Sequence, residues 1–104
     1  MALTKIKYGL LGDEFTTSAA VAATNLDFST AQVFTKTLSG NTTLTFSNDE
    51  IGMVKDLVIT GDFTLTLPSG STVAGEYDGT VSNLIQIVVT GASTYWYSIS
   101  QPQA

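Results

Sequence analysis

The chain has 104 residues, of which 43% are hydrophobic but only 12% charged, and its formal net charge is −5, with no Arg and no His. That length supports one domain, and four scattered lysines, Lys5, Lys7, Lys36 and Lys55, make no basic stripe of the kind nucleic acid requires. The absence of cysteine and histidine excludes disulfides, thiolate zinc sites, and Cys-His or Ser-His-Asp nucleophilic catalysis. Thr and Ser therefore cover the outward faces, and β-branched Thr suits a pleated surface.

Leu3–Leu11 sets Ile6, Tyr8 and Leu10 against Lys5, Lys7 and Gly9, a period of two that predicts a strand. The N-terminus has no apolar core of signal-peptide length, and no run approaches the ~18 to 20 apolar residues of a membrane span. A chain made in a cytoplasm and soluble there is expected, with no membrane partner. Phe15–Leu26 carries no charge and has a small-residue middle. It reads as one helical turn plugging a sheet end, or as an extended arm against a neighbour. Residues 1–24 are accordingly expected to form an N-terminal strand and arm, and residues 25–104 a β domain.

Leu26 and Phe28 begin a meander of short strands. In Val33–Asn48, VFTKTLSGNTTLTFSN, two alternating runs flank Ser39-Gly40-Asn41, which reads as a β-hairpin. A three-residue loop sets Phe34 opposite Phe46 and sends Lys36 to the rim; a two-residue loop reverses the faces. The first is preferred for its aromatic pair. In Met53–Thr60, Leu57 and Ile59 share one face and Val54 and Val58 the other. Phe63, Leu65 and Leu67 alternate up to Pro68, which ends a strand. Ser71–Thr80 is irregular. In Asn83–Thr90, Ile85, Ile87 and Val89 oppose Leu84 and Val88, so both faces want cover. In Tyr95–Ser100, Tyr95, Tyr97 and Ile99 oppose Trp96 and Ser98. Short strands with frequent turns predict an all-β fold, a small antiparallel β-sandwich or barrel of about seven to eight strands with an N-terminal arm.

Acidic pairs occur at Asp13-Glu14, Asp49-Glu50 and Glu76 with Asp78, beside glycines where solvated turn residues are the ordinary reading. No EF-hand spacing occurs. No catalytic residue, metal site or cofactor is assigned. The expected partner-interface residues are Phe15, Val21, Val54, Val58, Leu84 and Val88. Trp96 and Tyr97 are candidates for stacking on a sugar ring.

The run VFTKTLSGNTTLTFSN, followed by DLVITGDFTLTLPSG and NLIQIVVTGASTYWYSIS, resembles a β domain recurrent in structural proteins of tailed bacteriophages. The resemblance covers roughly Leu26–Ser100, and departs from that group at Leu67-Pro68, where tryptophans are common. It implies a non-enzymatic virion part, a homotrimer of the capsid-decoration or head-fibre type on the virion surface. Its partners would be its own copies and other virion proteins, such as the major capsid protein. The alternative is a tail-fibre or adhesin-like module that binds host-surface carbohydrate.

Overall fold

The computed structural model describes residues 17–68 and 71–102. These residues form ten strands and no helix: β1 Ser18–Ala20, β2 Asn25–Asp27, β3 Val33–Thr37, β4 Thr42–Thr43, β5 Thr45–Ser47, β6 Val54–Thr60, β7 Leu65–Thr66, β8 Ser71–Ala74, β9 Asn83–Gly91 and β10 Thr94–Ser100. The fold is all-β, but it is solenoid-like and neither a sandwich nor a barrel. Strands one coil apart pair in parallel, β1 with β3, β3 with β6, β2 with β5 and β4 with β7. Val33 faces Asp56 and Thr42 faces Leu65, both at an interval of 23 positions.

Parallel neighbours need a crossover. Here the crossover is the short second wall of β2, β4, β5 and β7, so each coil buries its apolar face only by stacking on the next. The first wall is a six-stranded sheet in the order β1-β3-β6-β9-β10-β8. Among the described residues antiparallel pairing is confined to β6 with β9 and β9 with β10, and β8 pairs in parallel with β10 at the end of the order.

The expected hairpin is therefore absent. Ser39-Gly40-Asn41 turns the chain at a corner, and its bonds run to the next coil. The Leu38 amide donates to the Thr60 carbonyl at 2.7 Å, and the Thr64 amide donates to Asn41 Oδ1 at 3.0 Å. Both proposed loop registers lapse with it. Phe34 and Phe46 do not oppose each other as strand neighbours. They sit on different walls, and both pack against Phe28, with ring centroids at 6.1 and 4.9 Å.

Lys36 does not reach the rim. It is buried, and its ammonium donates to the carbonyls of Val21, Ala22 and Ala23 at 3.4, 3.2 and 2.8 Å. The turn after β1 leaves three carbonyls aimed at one point, and a cation there satisfies all of them. From Thr17 onward the uncharged stretch is extended, not helical, with β1 joined to the edge of the sheet. Phe15, the predicted strand Leu3–Leu11 and Asp13-Glu14 lie outside the described residues. The predicted strand around Phe63 shortens to β7, leaving Phe63 exposed.

The core fills the space between the walls. On the sheet, Phe34, Leu57, Ile85 and Ile99 form one cross-strand row, and Lys55, Ile87 and Tyr97 another. Leu26, Phe28, Ala31 and Leu44 meet them from the second wall and its corners. An aromatic chain runs Phe34, Phe28, Phe46, Tyr95, Tyr97, with the Phe46 and Tyr95 rings edge to face at 5.1 Å. Such pairs add about 0.5–1.5 kcal/mol each beyond area burial.

Candidate interaction surface

Partnered residues in a sheet point to the same side, so the strand registers define the outward face row by row. One row is Ala20, Thr35, Val58, Leu84 and Ser100. The middle row is Ser18, Val33, Asp56, Gln86, Ser98 and Ala74. The third is Val54, Val88, Trp96 and Thr72. Fourteen positions of small, hydroxyl, amide or apolar type frame a single charge at Asp56, and with Thr37 and Thr60 adjoining, the described residues of the face carry no other charge.

Val54 and Val58 are each 37% exposed, Leu84 43% and Trp96 48%, and Val88 is half-buried between Val54 and Trp96. Isolated exposed apolar residues are ordinary; here Val54, Val88 and Trp96 share one row and Val58 and Leu84 another, on the same face, with Asp56 and Gln86 in the row between. Four of the predicted interface residues, Val54, Val58, Leu84 and Val88, are thus brought together. Val21 is elsewhere, half-buried against the core. Trp96 and Tyr97 are separated by the pleat. Tyr97 is fully buried, with its hydroxyl donating to the Pro68 carbonyl at 3.3 Å, so its ring is out of reach of a sugar.

The acidic candidates are built into turns. Asp49 accepts the Tyr95 hydroxyl at 2.8 Å, and burial, then this carboxylate, push the Tyr95 phenol up to about 12. Asp78 caps the following turn through Thr80, which lowers its pKa from the ordinary carboxylate value. Asp27 accepts the Ser29 hydroxyl and amide and the Asn48 amide at 2.7, 3.0 and 2.8 Å; the side-chain bonds lead in holding its pKa down. Glu50 and Glu76 are exposed. Among the described residues no three acidic side chains converge as a metal would require.

Two open grooves flank Leu67-Pro68, one of about 500 Å³ lined by Leu65, Val73, Tyr77 and Ile99, the other of about 560 Å³ lined by Leu44, Phe46 and Tyr95. Their linings are chiefly apolar and threonine. Among the described lining residues Glu76 is the one acidic side chain of the first, and the second has neither an acidic nor a basic one.

The polar centre that periodicity did not reveal is Asn83. It is buried, its amide donates to the carbonyls of Asp78, Val81 and Ile59, and its Oδ1 accepts from the Asp78 amide and Gln101. It ties the loop after β8 and the chain end to the sheet. An Asn opening a long apolar strand was the available signal.

Among the described residues seven side chains are acidic and two are lysines, both buried, so the outward charge is negative throughout. No helix of the described residues is long and apolar enough to cross a membrane. Comparison with family models, curated proteins and solved structures finds no match to this chain.

Proposed function

We propose that this protein is a non-enzymatic structural subunit of a tailed-bacteriophage virion, a homotrimeric capsid-decoration or head-fibre component on the particle surface. The observation that carries the reading is the outward sheet face, on which Val54, Val58, Leu84, Val88 and Trp96 present apolar surface around one charge among the described residues. The resemblance of Leu26–Ser100 to phage β domains supports the same class. Coil stacking supports it too, because a solenoid has ends and edges that a cap or a neighbouring copy covers. Copies of the chain and a capsid protein are the partners this reading assigns.

Sedimentation equilibrium of the purified chain tests it. The expected result is a species three times the 11.0 kDa protomer mass. A monomer at every concentration, with no binding to isolated phage capsids, contradicts the reading. The carbohydrate-binding alternative keeps only Trp96 as a stacking ring. It predicts glycan-array binding that Trp96→Ala abolishes.

A further inference from the structure

The two walls end at different heights. β7 lies one coil beyond β4 as β6 lies one coil beyond β3, and among the described residues no strand pairs with the second wall past β7. The first wall continues past β6 through β9, β10 and β8. Its inward side is short of cover at that end. Val73 of β8 shares an inward row with Tyr97, Ile87 and Lys55, yet Val73 is 51% exposed where the other three are buried.

The groove of about 500 Å³ lies there, with Val73 and Ile99 on its sheet side and Leu65 and Leu67 on its β7 side. The Tyr77 hydroxyl donates to the Gly61 carbonyl at 2.7 Å and holds the loop after β8 over the corner. Along β7, the Thr42 and Leu44 amides donate to the Thr64 and Thr66 carbonyls, each at 2.9 Å. A strand turns the backbone groups of alternate residues to opposite edges. Those of Leu65 and Leu67 therefore face away from β4, and among the described residues none of them has a hydrogen-bond partner.

Two amides and two carbonyls on one edge, beside an apolar floor, select the chemistry of an occupant. An extended polypeptide repeats the same groups at the same spacing and turns every second side chain inward. A small apolar molecule would leave the strand edge unmet. Charge narrows the choice further. Glu76 is the one acidic side chain among the described lining residues, the described outward charges are all acidic, and both described lysines are buried. The described surface of a second copy would set acid against acid, whereas a basic partner is drawn in.

We propose that this groove is a strand-addition site for another protein. An extended segment, apolar at alternate positions and basic at one end, pairs with the β7 edge, covers Val73 and Ile99, and sets its cation by Glu76. The site lies on the inward side of the sheet, so it stands whether or not copies join through the outward face.

The test uses the ¹⁵N-labelled full-length chain and a synthetic nonapeptide of alternating threonine and valine with lysine at both ends. Solvent-exchange NMR should show the Leu65 and Leu67 amides exchanging freely in the free chain and slowed at least about tenfold by saturating peptide. A glutamate-ended peptide should bind at least about tenfold more weakly at low salt, and Val73→Lys should weaken the lysine-ended peptide by a similar factor. N-methylation separates strand pairing from apolar contact, because the valines and the threonines present opposite edges. Methylating one set should abolish binding, and methylating the other should be tolerated. Leu65 and Leu67 amides already protected without peptide would mean that the chain or its copies fill the groove, and would overturn the proposal. So would a peptide that leaves both amides exchanging freely, or one that binds equally well with either set methylated. Sedimentation of the same samples reads the outward-face assembly separately.

Discussion

Lys36 and Asn83 show how single polar side chains hold the coils in register. Lys36 gathers three carbonyls left by the turn after β1, and Asn83 gathers backbone groups from Asp78, Val81 and Ile59. Removing a partner from a buried polar group costs the desolvation of what remains, about 1–3 kcal/mol. Asn83→Leu is therefore expected to lower the stability by about 2 kcal/mol or more, read as a shift in the denaturant midpoint at unchanged slope. At the acid end, Asp27 has a folded pKa below its unfolded 3.8, so its contribution is present above that value. It is lost as pH falls through the folded pKa. At the alkaline end Tyr95 runs the other way, with a folded pKa of about 12 against an ordinary 10.0. The folded chain holds that proton longer, so stability is full below pH 10 and falls from there to about pH 12. Tyr95→Phe should remove that part of the alkaline loss in pH-dependent denaturant titrations; an unchanged alkaline profile contradicts the assignment.

At the scale of elements, period-two alternation was legible wherever a strand was long. β6, β9 and β10 turn inward the residues that alternation selects, with Leu57, Ile59, Ile85, Ile87, Val89, Tyr95 and Tyr97 in the core. Alternation carries no record of which strand lies alongside, because the pleat is the same in parallel and antiparallel sheets. Hence the turn at Ser39-Gly40-Asn41 read as a hairpin although its strands pair one coil away. The chain does hold a faint internal repeat, SGNTTLTF from Ser39 and TGDFTLTL from Thr60, 21 positions apart. The pairing interval is 23, and a slip of two keeps every side chain on its own side. Lys36 was misplaced because a charge was expected at a rim; only the carbonyls of residues 21–23, distant in the strand pattern, give it an interior partner. Gly61 makes the coil corner possible. Its φ is +127°, and a Cβ there would stand 2.6 Å from Leu38 Cβ. Gly61→Ala should destabilise by roughly 2 kcal/mol or more, combining left-handed strain with overpacking. A thermal melt unchanged from wild type would contradict this role.

At the scale of the whole molecule, an apolar face is set in a surface whose described charges are all acidic. Copies that join through the face bring like charges together, so association should strengthen as salt rises. Raising ionic strength from 0.01 M to 0.15 M shortens the screening length from about 30 Å to about 8 Å; a dissociation constant that rises over that range contradicts the account. The face itself was partly legible, since apolar residues on both sides of Met53–Thr60 and Asn83–Thr90 called for cover. Its breadth was not, because the threonines, alanines and serines that complete it come from β1, β3, β8 and β10, and only the sheet order sets them side by side. The lone tryptophan, Trp96, lies on this face at 48% exposure and reports directly on what covers it. Acrylamide quenching of Trp96 across a dilution series is the most direct test. The account predicts a blue-shifted, protected indole at high concentration that becomes freely quenchable on dilution, and one quenchable at all concentrations in Val58→Asp/Leu84→Asp. A wild-type indole equally exposed at every concentration would contradict it.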